Sequence, residues 1–84
     1  MIQNILKKIA KTTKTTIELE NNQIVIYGED DTEESYNTVE TAKELIKIDL
    51  YAFTGKQITE DKLGFGWTHD DRYIGTIQLK GVLY

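Results

Sequence analysis

Eighty-four residues carrying a formal charge of −4 describe one domain, near the lower size limit of chains that fold alone. The absence of cysteine excludes a disulfide framework, a thiolate zinc site and a cysteine nucleophile, and points to a reducing compartment, the cytoplasm. Unbroken apolar runs such as Ile24–Tyr27 are far too short to span a bilayer, and the opening Met-Ile-Gln-Asn has neither an apolar core nor a cleavage site of a secretion signal, so no membrane partner is expected.

In chain order, Ile2, Ile5, Leu6 and Ile9 fall at i, i+3, i+4 and i+7, the stripe of an amphipathic helix. Thr12 and Thr13 weaken helix propensity and should end it. Thr16–Glu20 alternates with period two, and Gln23–Tyr27 reads as a return strand across Asn21-Asn22, residues that tolerate the positive φ of a type I′ turn. A two-residue loop pairs Glu20 with Gln23, Leu19 with Ile24 and Ile17 with Ile26, putting four aliphatic side chains on one face.

Gly28–Glu34 is polar, acidic and turn-like. Asn37 with Glu40 three residues on fits a capping box, and Val39, Ala42, Ile46, Leu50 and Phe53 continue a helical stripe toward Gly55. This predicts a helix over 38–54; the rival is a shorter helix followed by a strand at Ile48–Phe53, where apolar residues also alternate. Leu63–Trp67 alternates large apolar residues with glycine, Thr68–Arg72 reads as a turn or loop, and Tyr73–Leu79 as a strand, so a second hairpin is expected. Gly64 and Gly66, facing away from the aromatics of this hairpin, imply that another backbone or element approaches closely there. The expected fold is α+β, in the order α-β-β-α-β-β: an antiparallel sheet of two hairpins covered on one face by two helices. The other face, lined by Glu18, Val25, Tyr27, Thr76 and Gln78, is expected to be partly wet. Phe53, Phe65 and Trp67 are expected in the core, and Tyr27, Tyr73 and Tyr84 at the margin, where a strand ending in Leu83-Tyr84 offers an edge for β-augmentation.

The residues offer little chemistry. The acidic run lacks the spacing of a calcium loop, and it reads as a solvated loop. His69, Asp70 and Asp71 are adjacent in a loop, with no second histidine or cysteine to complete a metal site. Ser35 has no base brought near it by spacing, and Gly64-Phe65-Gly66 opens no helix that would cradle a phosphate. No cofactor, metal or enzymatic activity is therefore expected.

Charge is the unusual feature. Residues 1–17 carry +4, residues 18–50 carry −8 and residues 51–84 are neutral. The lysine face formed by Lys7, Lys8, Lys11 and Lys14 suggests phosphate contact, but it lacks arginine and interleaved aromatics, and the acidic pI of about 4.9 opposes general attraction to nucleic acid. Glu29, Asp30, Asp31, Glu33, Glu34, Glu40 and Glu44 face only one base, Lys43, within their span. Converged on one surface, they would dock on the Lys/Arg channel of a basic, nucleic-acid-binding protein; scattered, they would serve solubility alone. In size, acidity, lack of cysteine and helix-plus-hairpin layout the chain is similar to small inhibitor proteins of bacteriophages, among them uracil-DNA glycosylase inhibitors and anti-CRISPR proteins. That resemblance, which rests on no motif, implies occlusion of an enzyme's cationic groove. The alternatives are a module that forms homo-oligomers through sheet edges or aromatic residues, and a small nucleic-acid binder using the lysine face.

Overall fold

The computed structural model describes residues 2–59, 63–67 and 72–83, with the backbone alone at Leu63 and Phe65. Its elements are α1 (Ile2–Thr13), β1 (Thr16–Glu20), β2 (Gln23–Tyr27), α2 (Glu33–Thr54), β3 (Leu63–Trp67) and β4 (Tyr73–Gln78), which is the expected α+β order. The four strands form one antiparallel sheet in the order β1-β2-β4-β3.

The first hairpin pairs in the register its alternation requires: Ile17 with Ile26, Leu19 with Ile24, Glu20 with Gln23. Positive φ occurs at Asn21 (52°) and not at Asn22, so the turn lacks the two positive φ values of the type I′ turn expected. β4 then inserts beside β2, which leaves β1 and β3 as the sheet edges. The expected C-terminal edge is absent: β4 is central, and the chain turns after it, with the Val82 and Leu83 N–H groups both donating to Leu79 O at 2.8 Å. Tyr84 lies outside the described residues.

The α1 stripe is buried as its spacing demands, through Leu6 and Ile9. The helix closes in a Schellman arrangement, with Lys14 left-handed (φ 57°) and Thr15 N–H donating to Ala10 O at 3.1 Å. Both threonines expected to end it donate their hydroxyls to carbonyls one turn back, Thr12 to Lys8 O and Thr13 to Ile9 O.

The second helix is longer than its pattern suggests. It runs unbroken through 48–53, so the rival strand there does not form. It also starts at Glu33, with Thr32 as its N-cap, so Asn37 is an exposed residue inside the helix and no capping box forms there. Thr32 wins because its hydroxyl accepts from Ser35 N–H (3.2 Å) while Asp30 Oδ1 accepts from Thr32 N–H (3.0 Å), Thr32 Oγ1 (2.6 Å) and Ser35 Oγ (2.7 Å). Glu33 and Glu34 in the first turn suit the positive end of the helix dipole. At the other end Gly55 (φ 74°) supplies the left-handed cap, its N–H donating to Tyr51 O at 2.8 Å.

Val39, Ala42, Ile46 and Leu50 of α2 meet Ile24, Ile26, Ile77 and Tyr73 of the sheet in one core. Gly75 permits this approach: a Cβ there would stand 2.8 Å from Val39 Cγ1 and 3.0 Å from Lys43 Cδ. On the sheet's far face Val25 is 2% exposed, drier than expected, between its strand partners Glu18 and Thr76.

Three aromatic placements depart from expectation. Phe53 is 49% exposed, because a helix of 22 residues reaches about 33 Å while strands of five or six residues reach about 17–20 Å, so its last turn outruns the sheet. Trp67 is 59% exposed at the end of edge strand β3. Tyr73, expected at the margin, is buried because β4 is central. The Phe65 side chain lies outside the described residues.

No described helix is long and apolar enough to cross a membrane.

Candidate functional site

Glu33, Asn37, Glu40 and Glu44 follow at i, i+4, i+7 and i+11, so they share one stripe of α2, opposite the stripe that enters the core. All four are exposed, and Asn37, Glu40 and Glu44 line one shallow depression with Thr41 and Leu45. Ile48 and Tyr51 continue the stripe, 60% and 50% exposed. The outward face of α2 is therefore acidic over its first half and apolar over its second.

The seven acids singled out by charge thus divide. Glu33, Glu40 and Glu44 come together. Glu34 turns toward α1, where it lines a groove with Thr12, Thr13 and Lys14. Glu29 and Asp31 are exposed in the loop that leads into α2. Asp30 also sits on that loop, but its Oδ1 is engaged by Thr32 and Ser35, and those hydrogen bonds hold its pKa below the ordinary 3.8. Asp30 is a structural capping residue more than an outward anion.

Among ion pairs with both partners described, only Lys47 Nζ to Glu44 Oε2 forms, at 3.7 Å. Lys43, the base within the acidic span, does not reach outward: it is 3% exposed and donates through Nζ to Gly64 O at 2.8 Å, fastening α2 to β3.

An aromatic cluster adjoins the acidic stripe, and sequence reasoning missed it. Tyr73 makes edge-to-face contacts with Tyr36 of α2 and Trp67 of β3, each at 4.8 Å between ring centroids. Tyr73 is held on both sides of its backbone, its carbonyl accepting from Gly28 N–H (2.8 Å) and its N–H donating to Asp30 O (3.1 Å). Tyr36 and Glu40 stand one helical turn apart. Hydrogen bonding to the Glu40 carboxylate, then its charge, raises the Tyr36 hydroxyl above its ordinary 10.0. Burial, reinforced by Tyr36 and Glu40, raises Tyr73 in the same direction. The available signal was the i, i+4 spacing of Tyr36 and Glu40; the pairing of Tyr73 with Trp67 needed the second hairpin's register.

The other sheet face carries a related set. Arg72 lies over the Tyr27 ring at 5.0 Å, and the Tyr27 hydroxyl donates to Glu20 Oε2 at 3.4 Å. Tyr27 is raised above 10.0 by desolvation first, then by Glu20 and Glu18.

No group of three metal-ligating side chains forms among the described residues, and His69, Asp70 and Asp71 lie outside them. The lysines of α1 are exposed off its buried stripe. In comparisons with protein-family models, curated proteins and solved structures, the chain matches none.

Proposed function

We propose that this chain is a non-enzymatic protein-binding module that docks the acidic face of α2 on a basic, nucleic-acid-binding protein and occludes its cationic groove. The observation that supports this reading is the Glu33–Glu40–Glu44 stripe, carried on a helix seated rigidly by Gly75 and Lys43 and flanked by the exposed Glu29 and Asp31. Position weights these charges. Glu33 lies in the first turn, where the helix dipole offsets part of its field, while Glu40 and Glu44 lie beyond it. The Glu44–Lys47 pair is exposed and worth no more than about 1 kcal/mol, so a partner's arginine can replace Lys47. A phage-type inhibitor of a nucleic-acid enzyme is the finer form of the same reading.

The test is capture from a cell extract with immobilised protein, alongside a variant carrying Glu33→Lys, Glu40→Lys and Glu44→Lys. Basic proteins retained by the parent at low salt, released as salt rises and lost with the variant are the expected outcome. Identical retention by both baits would dismiss the reading.

A second reading, self-association, is favoured by the exposure of Ile48, Tyr51 and Phe53 at the far end of α2, where Lys47, Ile48, Tyr51, Gln57 and Ile58 line a groove of about 350 Å³, and by β1 and β3 standing at the edges of the sheet. Sedimentation that stays monomeric up to millimolar concentration would remove it.

A further inference from the structure

We propose that the outer edge of β3 is where two copies of this chain pair, Leu63–Trp67 of one protomer running antiparallel to the same strand of its partner and joining the two sheets. The inference rests on the self-association reading, which it narrows to one edge, and it is independent of the acidic face of α2.

The direction of the backbone groups carries it. In β4, Tyr73 turns both groups toward the β2 side, its carbonyl accepting from Gly28 N–H and its N–H donating to Asp30 O, and Leu79 N–H donates to Asn22 O on that same side. Successive residues of a strand aim their groups at opposite edges, so Ile74 and Thr76 turn toward β3. Their partners there are Gly66 and Gly64, which leaves the N–H and C=O groups of Leu63, Phe65 and Trp67 directed away from the sheet. Among the described residues no backbone hydrogen bond reaches those outward groups. Lys43 does not occupy them, because the carbonyl it bonds belongs to Gly64 and points inward.

The same alternation selects a second copy as the occupant and sets its register. With the two-fold axis at Phe65, Leu63 faces Trp67 of the partner subunit, Phe65 faces its own counterpart, and every outward N–H meets an outward C=O. Gly64 then faces Gly66 of the partner subunit, so no bulky side chains collide at those positions.

Charge separates this edge from the other one. β1 carries the exposed Glu18 and Glu20, and an antiparallel copy of β1 centred in the same way would set Glu18 against Glu18, a repulsive pair in a chain already at −4. β3 has no charge and no proline, and its pairing with β4 is unbroken, so no bulge twists the edge away. It ends in Trp67, 59% exposed, a large ring that a paired strand would cover.

A strand of five residues makes a small interface, so the expected dissociation constant is on the order of 100 micromolar. About 20% of the chains are then monomeric at 1 millimolar and about 70% at 30 micromolar. The test is amide hydrogen exchange of the parent protein by NMR at those two concentrations, with sedimentation alongside. The amides of Leu63, Phe65 and Trp67 should exchange about three- to fourfold more slowly at the higher concentration, while Gly64 and Gly66, bonded to β4, are protected equally at both. Trp67→Pro removes an outward N–H and the exposed ring but none of the β3–β4 bonds, and should weaken dimerisation at least about tenfold with the circular dichroism spectrum retained. Should that variant fail to fold, the exchange pattern of the parent decides alone. A dimer whose new protection falls on β1 or on Ile48–Tyr51 would overturn the choice of β3 and leave self-association standing; a monomer at 1 millimolar would overturn both.

Discussion

The two halves of α2 belong to one helix and are held in different ways. The first half is fixed from three sides: the Asp30–Thr32–Ser35 network caps it, Val39 sits on Gly75 of β4, and Lys43 reaches Gly64 O on β3. The second half is buried along a single line that ends at Leu50, and beyond it Tyr51 and Phe53 face solvent and Gly55 has nothing within 4 Å of where its Cβ would be. The half that carries the acids and aromatics is thus the half whose geometry is over-determined. Binding groups gain from such pre-organisation, because little side-chain and backbone freedom remains to be lost on docking.

The sharpest way to break this comparison is at the helix–sheet contact. Gly75→Ala pushes a methyl into Val39 Cγ1 and should cost about 1–3 kcal/mol, read as a lower urea midpoint. That is a large share of the roughly 5 kcal/mol expected of so small a domain. An unchanged midpoint would mean that the helix does not press on β4. Thr32→Ala should cost about 1 kcal/mol, by loss of the cap on Ser35 N–H.

Acid sharpens the same end of the helix. The pKa of Asp30 is depressed in the folded state, so its contribution is present above about pH 3.8, the unfolded value, and is lost as pH falls through the lower folded one. Asp30→Asn should therefore lower stability at neutral pH and flatten its fall as pH drops below about 3.8, followed by urea titration at each pH. A fall as steep as that of the parent would show that the cap network is not what titrates. The smallest effect belongs to the far end: Ile48→Ser and Tyr51→Ser should each change stability by no more than about 0.5 kcal/mol, since neither side chain is buried. A loss above 2 kcal/mol at either position would erase the contrast between the halves.

How much of this was legible in the sequence follows from the range of the interactions. The α1 stripe, the register of the first hairpin and the buried line Val39–Ala42–Ile46–Leu50 are local periodicities, and each reappears in the fold. The start of α2 departs from the local pattern because two capping signals compete within six residues, and the winner depends on Asp30 and Ser35 meeting across a turn. Phe53 lies on the stripe in phase, yet phase says nothing of where the sheet stops. Trp67 and Tyr73 exchanged roles because burial there depends on strand order, with β4 central and β3 at the edge. Spacing alone grouped seven acids; their division into a stripe, a groove, a loop and a cap needed the helix start and the position of α1.

The most direct test of the acidic docking face is to titrate isotope-labelled protein with a basic peptide rich in lysine and arginine and map backbone amide shifts. Perturbations are expected to concentrate at Glu33, Glu40 and Glu44, with Ile48–Phe53 and the α1 lysines quiet. Shifts spread evenly over all exposed acids, Glu18 and Glu20 of β1 included, would contradict it.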